Sequence, residues 1–208
     1  MVTSSSWTIS YAKLQTWERR SDGAWIKPFG EMSAPIGRNG FILGTSRKQN
    51  SGTTPAGNYR IRKTFGQSSN PGTKMPYRNA DSNDYWVYDP RDPKTYNVLQ
   101  PYQSPYAYWR TAEAERLAAY STQYKYAAII SYNLPANVHW DPVAREHRTT
   151  TPADVTKGGG IFLHVNGSGA TAGCVSLVES SMLKVLRWLD PAMQPRMIMG
   201  PSSTVTEL

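Results

Sequence analysis

The chain has 208 residues, 39% of them hydrophobic, enough for one domain with a sizeable core. Its 23 Lys and Arg outweigh 15 Asp and Glu, and the resulting +8 favours an anionic partner: nucleic acid, an acidic membrane surface or an acidic cell-wall polymer. No run approaches 18 apolar residues, which argues against a membrane span, and the scattered basic residues (Arg60/Arg62/Lys63, Arg145/His147/Arg148) without any zinc-finger or helix-turn-helix pattern argue against nucleic acid.

Met1–Ser6 has neither a basic start nor an apolar run, so it reads as a flexible N-terminal segment and not as a signal peptide. Trp7–Trp17 is a candidate strand or strand pair, and Asp22-Gly23 marks a hairpin ahead of Trp25-Ile26. Gly37, Gly40 and Gly44 mark turns or close backbone approaches. Pro55 and Gly57 read as a turn feeding a strand with Tyr59 and Ile61 on one face and Arg60 and Arg62 on the other. Residues 66–81 and about 92–110 are irregular, with Tyr85–Tyr88 a short strand between them, and loops of that length commonly line a site. Thr111–Tyr124 has helical spacing at Leu117, Tyr120 and Tyr124, with Glu113 and Glu115 in its early turns.

Tyr126–Tyr132 reads as a buried central strand, and His139 and His147 fall in an expected loop. Gly158-Gly159-Gly160 precedes a strong short strand, Ile161–Val165, that carries His164 near its end. The closing helix has Ser176 as N-cap with Glu179 completing a capping box, an apolar stripe of Met182, Leu183, Val185, Leu186 and Leu189, and a stop at Asp190-Pro191. Met197–Met199 is a candidate last strand, so the pattern is mainly β with two helices and a long inserted loop region. The 13 Tyr and 7 Trp, against 4 Phe, suit a groove for a polar polymer or peptide, and equally an ordinary β protein.

Cys174 is the only cysteine, so it forms no intramolecular disulfide and is either buried filler, an incidental thiol or a nucleophile. His164 stands ten positions earlier as a base, Gly167, Gly169 and Gly173 keep the surroundings open, and the N-terminus of the last helix would favour a thiolate. The N–H groups of Gly173 and Cys174 are candidates for an oxyanion hole. A zinc site made from Cys174 and the three histidines lacks any close ligand pair at structural-zinc spacing, so no metal and no cofactor is expected.

The segment Ile161–Leu177 resembles the active-site segment of the L,D-transpeptidase (YkuD-type) catalytic domain. That family carries a strand-ending histidine, a variable loop and Ser/Thr-His-Gly-Cys, followed by an aliphatic residue and Arg or Asn. Here the matching residues are His164 and Thr171-Ala172-Gly173-Cys174-Val175-Ser176. The family's Thr-Pro-x-Gly-x-Tyr/Phe turn matches Thr54-Pro55-Ala56-Gly57-Asn58-Tyr59, and its upstream Gly-x-x-Gly matches Gly37-Arg38-Asn39-Gly40. Three departures stand out: Ala172 replaces the histidine before Gly-Cys, Ser176 replaces Arg or Asn, and the His-to-Cys loop is short.

The resemblance implies a β-sandwich catalytic domain over residues 7–199 with a tail at 200–208, acting on peptidoglycan stem peptides outside the cytoplasm as a monomer, any leader lying outside this sequence. It implies Cys174 as nucleophile, His164 as base, the Val165 carbonyl orienting the imidazole and the Gly173 N–H at the oxyanion. The expected reaction is 3→3 cross-linking from a tetrapeptide stem with release of D-Ala. Water as acceptor would give an L,D-carboxypeptidase, and loss of activity a wall-binding module. Tyr88, Tyr132, Asn133, Trp140, Arg145 and Thr171 are candidates to line the donor groove, with Arg38 as an alternative carboxylate partner. A papain-like or NlpC-type order, with the cysteine ahead of its histidine, does not fit, since no histidine follows residue 174.

Overall fold

The computed structural model describes residues 1–208. In chain order the strands are β1 (Val2–Ser4), β2 (Tyr11–Leu14), β3 (Glu18–Arg19), β4 (Trp25–Ile26), β5 (Met32–Pro35) and β6 (Phe41–Leu43). The long β7 (Thr54–Gly66) follows, then β8 (Tyr77–Asn79), β9 (Tyr85–Val87), β10 (Leu99–Gln100), β11 (Ala114–Arg116) and β12 (Ala127–Ile130). The chain closes with β13 (Ala136–Asp141), β14 (Glu146–Thr151), β15 (Phe162–Val165), β16 (Val175–Leu177), the single α-helix α1 (Glu179–Trp188) and β17 (Arg196–Pro201). The molecule is mainly β, as its many short apolar runs and turn residues require.

One large sheet runs β16-β15-β12-β7-β17-β1-β2-β5, with β6 and β8 also paired to β7. The strand β7 is its spine, antiparallel to β17 and β12 and parallel to β6 and β8. Pro55 and Gly57 lie inside this continuous strand and do not turn the chain. Gly57, at φ +152°, instead leaves space for the Tyr59 side chain to fold back, its hydroxyl donating to the Ala56 carbonyl at 2.9 Å; a Cβ at Gly57 would meet that oxygen at 2.5 Å.

The first six residues are not a loose end. Val2 is fully buried, and β1 pairs in parallel with Met199–Pro201, which extends β17 into the expected tail; Val205 is buried beyond it. The Asp22-Gly23 hairpin forms as expected between β3 and β4, with Gly23 at φ +87°.

Of the two expected helices only α1 forms. Residues 111–125 instead make short 3-10 turns around β11, which pairs with β9. The spacing of Leu117 and Tyr124 still reflects burial, because both enter one aromatic cluster. His139 and His147 sit on the β13–β14 hairpin and not in a loop, in cross-strand contact through the neighbouring Trp140. Ser176 does not cap α1: it is buried within β16, with Oγ donating to Asn166 Oδ1 at 3.1 Å, and Val178 is the cap residue.

Two clusters of side chains use opposite faces of the β15–β16 edge. Ile161, Leu163, Val165, Val175 and Leu177 join α1 in a mainly aliphatic core of 23 residues. Phe162 points the other way, into a smaller cluster with Phe65, Trp86, Leu117 and Tyr124, against which Cys174 and Tyr88 pack. Period-two alternation along β15 requires this division, and it also fixes the side on which His164 emerges.

Candidate active site

Strands β15 and β16 run parallel, with Leu163 beside Val175 and His164 beside Ser176. One step back in that register, Cys174 lies beside Phe162, and the Phe162 N–H donates to its Sγ at 3.3 Å. Cys174 and His164 are therefore on the same face, offset by two residues, roughly 8 Å apart at Cα for ordinary strand spacing and rise. The approach is through parallel neighbours joined by the Asn166–Cys174 connection, not through a hairpin.

The His164 ring is 6% exposed, and its Nδ1 lies 2.7 Å from the Val165 carbonyl oxygen. A carbonyl only accepts, so the proton sits on Nδ1 and Nε2 keeps its lone pair. Burial lowers the imidazole pKa below its ordinary 6.5, partly opposed by the Val165 hydrogen bond, so the ring rests neutral. The edge-to-face packing of Tyr124, at 5.7 Å between centroids, fixes the ring from one side.

Cys174 is partly exposed as a residue, but its sulfur is held between two main-chain groups. The thiol donates to the Gly160 carbonyl at 3.3 Å while accepting from Phe162. Burial pushes the thiol up to about 12, against which the Phe162 N–H and the more distant Arg47 act weakly. The expectation of a thiolate favoured by the α1 N-terminus fails for a geometric reason: α1 packs on the aliphatic side of the sheet, opposite the sulfur. The resting pair is thus neutral thiol and neutral imidazole, with the thiol proton turned toward Gly160.

The three motif segments meet at one hydroxyl. Thr54 Oγ1 accepts from the Gly37 N–H at 2.8 Å and donates to the Gly173 carbonyl at 2.8 Å. Thr171 adds a second brace, its Oγ1 donating to the Cys174 carbonyl at 2.6 Å and accepting from the Gly173 N–H at 3.1 Å. The Gly173 N–H is therefore occupied, whereas that of Cys174 bonds to nothing within the chain. Thr171 positions the cysteine turn, and its hydroxyl is not turned to a groove. Gly173, at φ +148°, is required as well, because a Cβ there would lie 2.9 Å from both Arg47 Nη2 and the Thr53 carbonyl.

The other groove candidates separate. Tyr88 packs against the aromatic cluster beside Cys174, its hydroxyl against Gly160, and burial pushes its phenol far up. Tyr132 is core: its single hydroxyl proton is shared between the Gly44 and Lys157 carbonyls, both at 3.0 Å. Asn133 braces the loop by donating to Asp154 and Gly158 carbonyls. Trp140 and Arg145 are exposed on the β13–β14 hairpin, Arg145 in its turn at φ +54°. Arg38 adjoins Gly52 and its main chain bonds Thr171.

Several residues at the site have no signal in the motifs. Asn97, buried at φ +59° in the irregular 92–110 segment, accepts from the Trp86 indole at 2.7 Å and the Gly160 N–H at 2.8 Å, so it sets the position of the carbonyl that holds the thiol. Tyr124 donates to the Glu115 carboxylate, whose pKa burial raises, and Glu115 opposes negative charge at Cys174. Arg47 is 3% exposed and stands over the Tyr132 ring at 5.6 Å. An unexplained arginine in a Gly-rich turn is the only trace it leaves in the sequence.

A large surface groove lies elsewhere, between α1 and the β3–β4 hairpin, where Trp17, Trp25, Trp188 and Met193 line it without Cys174 or His164. No cluster of His, Cys, Asp and Glu has the grouping of a metal site, and no helix is long and apolar enough to cross a membrane.

Neither the curated proteins nor the solved structures gave a match to the chain. The family model of the L,D-transpeptidase catalytic domain matches residues 25–199, from the β3–β4 hairpin into β17, and members of that family act on cell-wall peptidoglycan, generally by transpeptidation. With this match spanning most of its length and every strand of the cysteine-bearing edge inside it, the chain belongs to the L,D-transpeptidase catalytic domain family.

Proposed function

We propose that the protein is a cysteine acyltransferase that makes 3→3 peptidoglycan cross-links outside the cytoplasm. The observation that carries this reading is the shared face of β15 and β16, where a thiol and an imidazole with its Nε2 lone pair free stand two residues out of register. His164 Nε2 takes the thiol proton as Sγ attacks the carbonyl after the third residue of a tetrapeptide stem. The C–N bond to the terminal D-Ala breaks, its amine leaves with the proton from His164, and a thioester remains. A side-chain amine on a second stem then gives its proton to His164 and attacks the thioester, and the sulfur leaves and regains a proton.

A thiol held near 12 is not ionised in advance, so proton removal and attack belong to one step. Substrate must also draw the thiol proton away from Gly160 and toward the imidazole. The free Cys174 N–H is the remaining main-chain donor for the developing oxyanion. Water in place of the second amine would give an L,D-carboxypeptidase with the same residues.

A second reading has its own support. A neutral, hydrogen-bonded thiol and the missing imidazole at Ala172 suit a silent wall-binding module. Intact-protein mass measurement with a carbapenem separates the two. Acyl transfer requires an adduct on the wild type that is absent from Cys174→Ala; no adduct on either supports the silent module. Muropeptides with a tetrapeptide stem then give a dimer minus D-Ala for cross-linking, or a tripeptide for hydrolysis.

A further inference from the structure

We propose that Arg47 is an anion receptor that seats the free C-terminal carboxylate of the acyl donor beside Cys174. The identity of that anion rests on the acyl-transfer reading; the anion site itself does not. Arg47 is buried, 3% exposed, and no carboxylate lies within ion-pair distance of it anywhere in the chain. A buried cation without a counter-charge is strongly unfavourable unless something else compensates it. Here the compensation is partial. Nε donates to the Thr53 carbonyl at 2.9 Å, Nη1 to the Lys157 carbonyl at 3.3 Å, and the Tyr132 ring faces the guanidinium.

The fork keeps donors in hand. Nη2 makes no hydrogen bond of good geometry within the chain, although the guanidinium also interacts with the Tyr132 hydroxyl, and it is not among the side-chain atoms sealed without a partner. It is aimed at the cysteine turn: a Cβ on Gly173 would lie 2.9 Å from Nη2, and one on Gly158 2.6 Å from Nη1. Two glycines, one ahead of β15 and one immediately before Cys174, thus leave the room the guanidinium occupies. Arg47 comes from the turn after β6, far from Cys174 in sequence, so it would be a substrate-binding residue supplied from outside the Cys-His segment. A planar cation with free donors next to a nucleophile is suited to a carboxylate, the group a stem tetrapeptide ends with one residue past the scissile bond.

Alkylation of Cys174 tests this without any turnover. Iodoacetate and iodoacetamide both replace iodide by sulfur, but only iodoacetate carries a carboxylate. Relative to the rate ratio for N-acetylcysteine, the wild type should favour iodoacetate by about tenfold or more. Arg47→Gln should remove that preference, and Arg47→Lys, which keeps the charge but not the fork, should retain part of it. Thermal melts show whether each variant is folded. A measurement on the wild type alone covers the case of a misfolded variant: acetate should slow iodoacetate labelling and acetamide should not.

A stem tetrapeptide acid should protect Cys174 better than its C-terminal amide. The proposal is overturned by an unaltered reagent ratio, by failure of both reagents to label, or by equal protection from acid and amide. Failure of the acyl-transfer reading looks different, because reagent preference and acid-selective protection would remain while no thioester forms.

Discussion

The two faces of the β15–β16 edge are built from alternate residues of the same strands, yet their surroundings differ. Leu163, Val165, Val175 and Leu177 fill an aliphatic core closed by α1, with hardly a polar side chain among them. The opposite face puts Phe162, His164 and Cys174 against Tyr88, Tyr124 and Glu115, where burial shifts the pKa of every titratable group away from its charged form. One face is apolar filling and the other is a set of buried neutral groups around a thiol and an imidazole. Packing on the first holds the geometry of the second, so substitutions on the two faces should separate stability from chemistry.

The largest expected effect is on the chemical face. His164→Ala should slow acylation by a β-lactam by about 10²–10⁴-fold per folded molecule, the usual contribution of a positioned general base, beyond the stability lost with a buried, hydrogen-bonded ring. An unchanged acylation rate would move the base to Glu115 or elsewhere. Leu163→Ala, one residue away on the other face, should cost about 2–5 kcal/mol of stability in chemical unfolding while each folded molecule acylates normally. A rate loss matching that of His164→Ala would show that the faces are not separable.

Thr54→Val tests the joint between them. It strips the partner from the Gly37 N–H and the Gly173 carbonyl, and should cost about 1–3 kcal/mol while also slowing acylation through a loosened cysteine turn. Trp140→Ala, on the exposed hairpin, should leave stability within about 0.5 kcal/mol. If the hairpin touches stems, KM for a muropeptide rises while β-lactam acylation stays the same.

The smallest effect is the dependence on pH. Because burial lowers the folded pKa of His164, the unfolded chain takes up its proton near 6.5 and the folded chain only below that. Between the two values the unfolded state binds more protons, so stability is full above 6.5 and falls as pH drops through this window. His147 is shifted in the same direction, so the comparison is with His164→Gln, whose thermal midpoint should fall less steeply on acidification. An identical slope would show that His164 is not held neutral.

Much of this arrangement was legible in the residues. Gly158–Val165 reads as turn then strand, and period-two alternation already places Leu163 opposite His164. Thr54-Pro55-Ala56-Gly57-Asn58-Tyr59 stands out as a motif, although its physical content, a hydroxyl joining Gly37 to Gly173 and a glycine making space for Tyr59, emerges only in three dimensions. The helix expected at 111–124 failed because burial of Leu117 and Tyr124 beneath Phe162 produced helical spacing without helical hydrogen bonds. Ser176 and Glu179 satisfy a capping pattern locally, but pairing of β16 with β15 claims Ser176 first.

By itself the sequence determined a mainly β chain, a lone thiol beyond a strand-ending histidine, and the glycines that such a turn needs, since these depend on local periodicity and residue type. Tertiary structure alone decided that α1 lies on the wrong side to ionise Cys174, that Asn97 holds Gly160, and that Arg47 faces Gly173 without a counter-charge. Those outcomes depend on long-range strand pairing and on how deeply each group is removed from water, and neither quantity is a property of neighbouring residues in the chain.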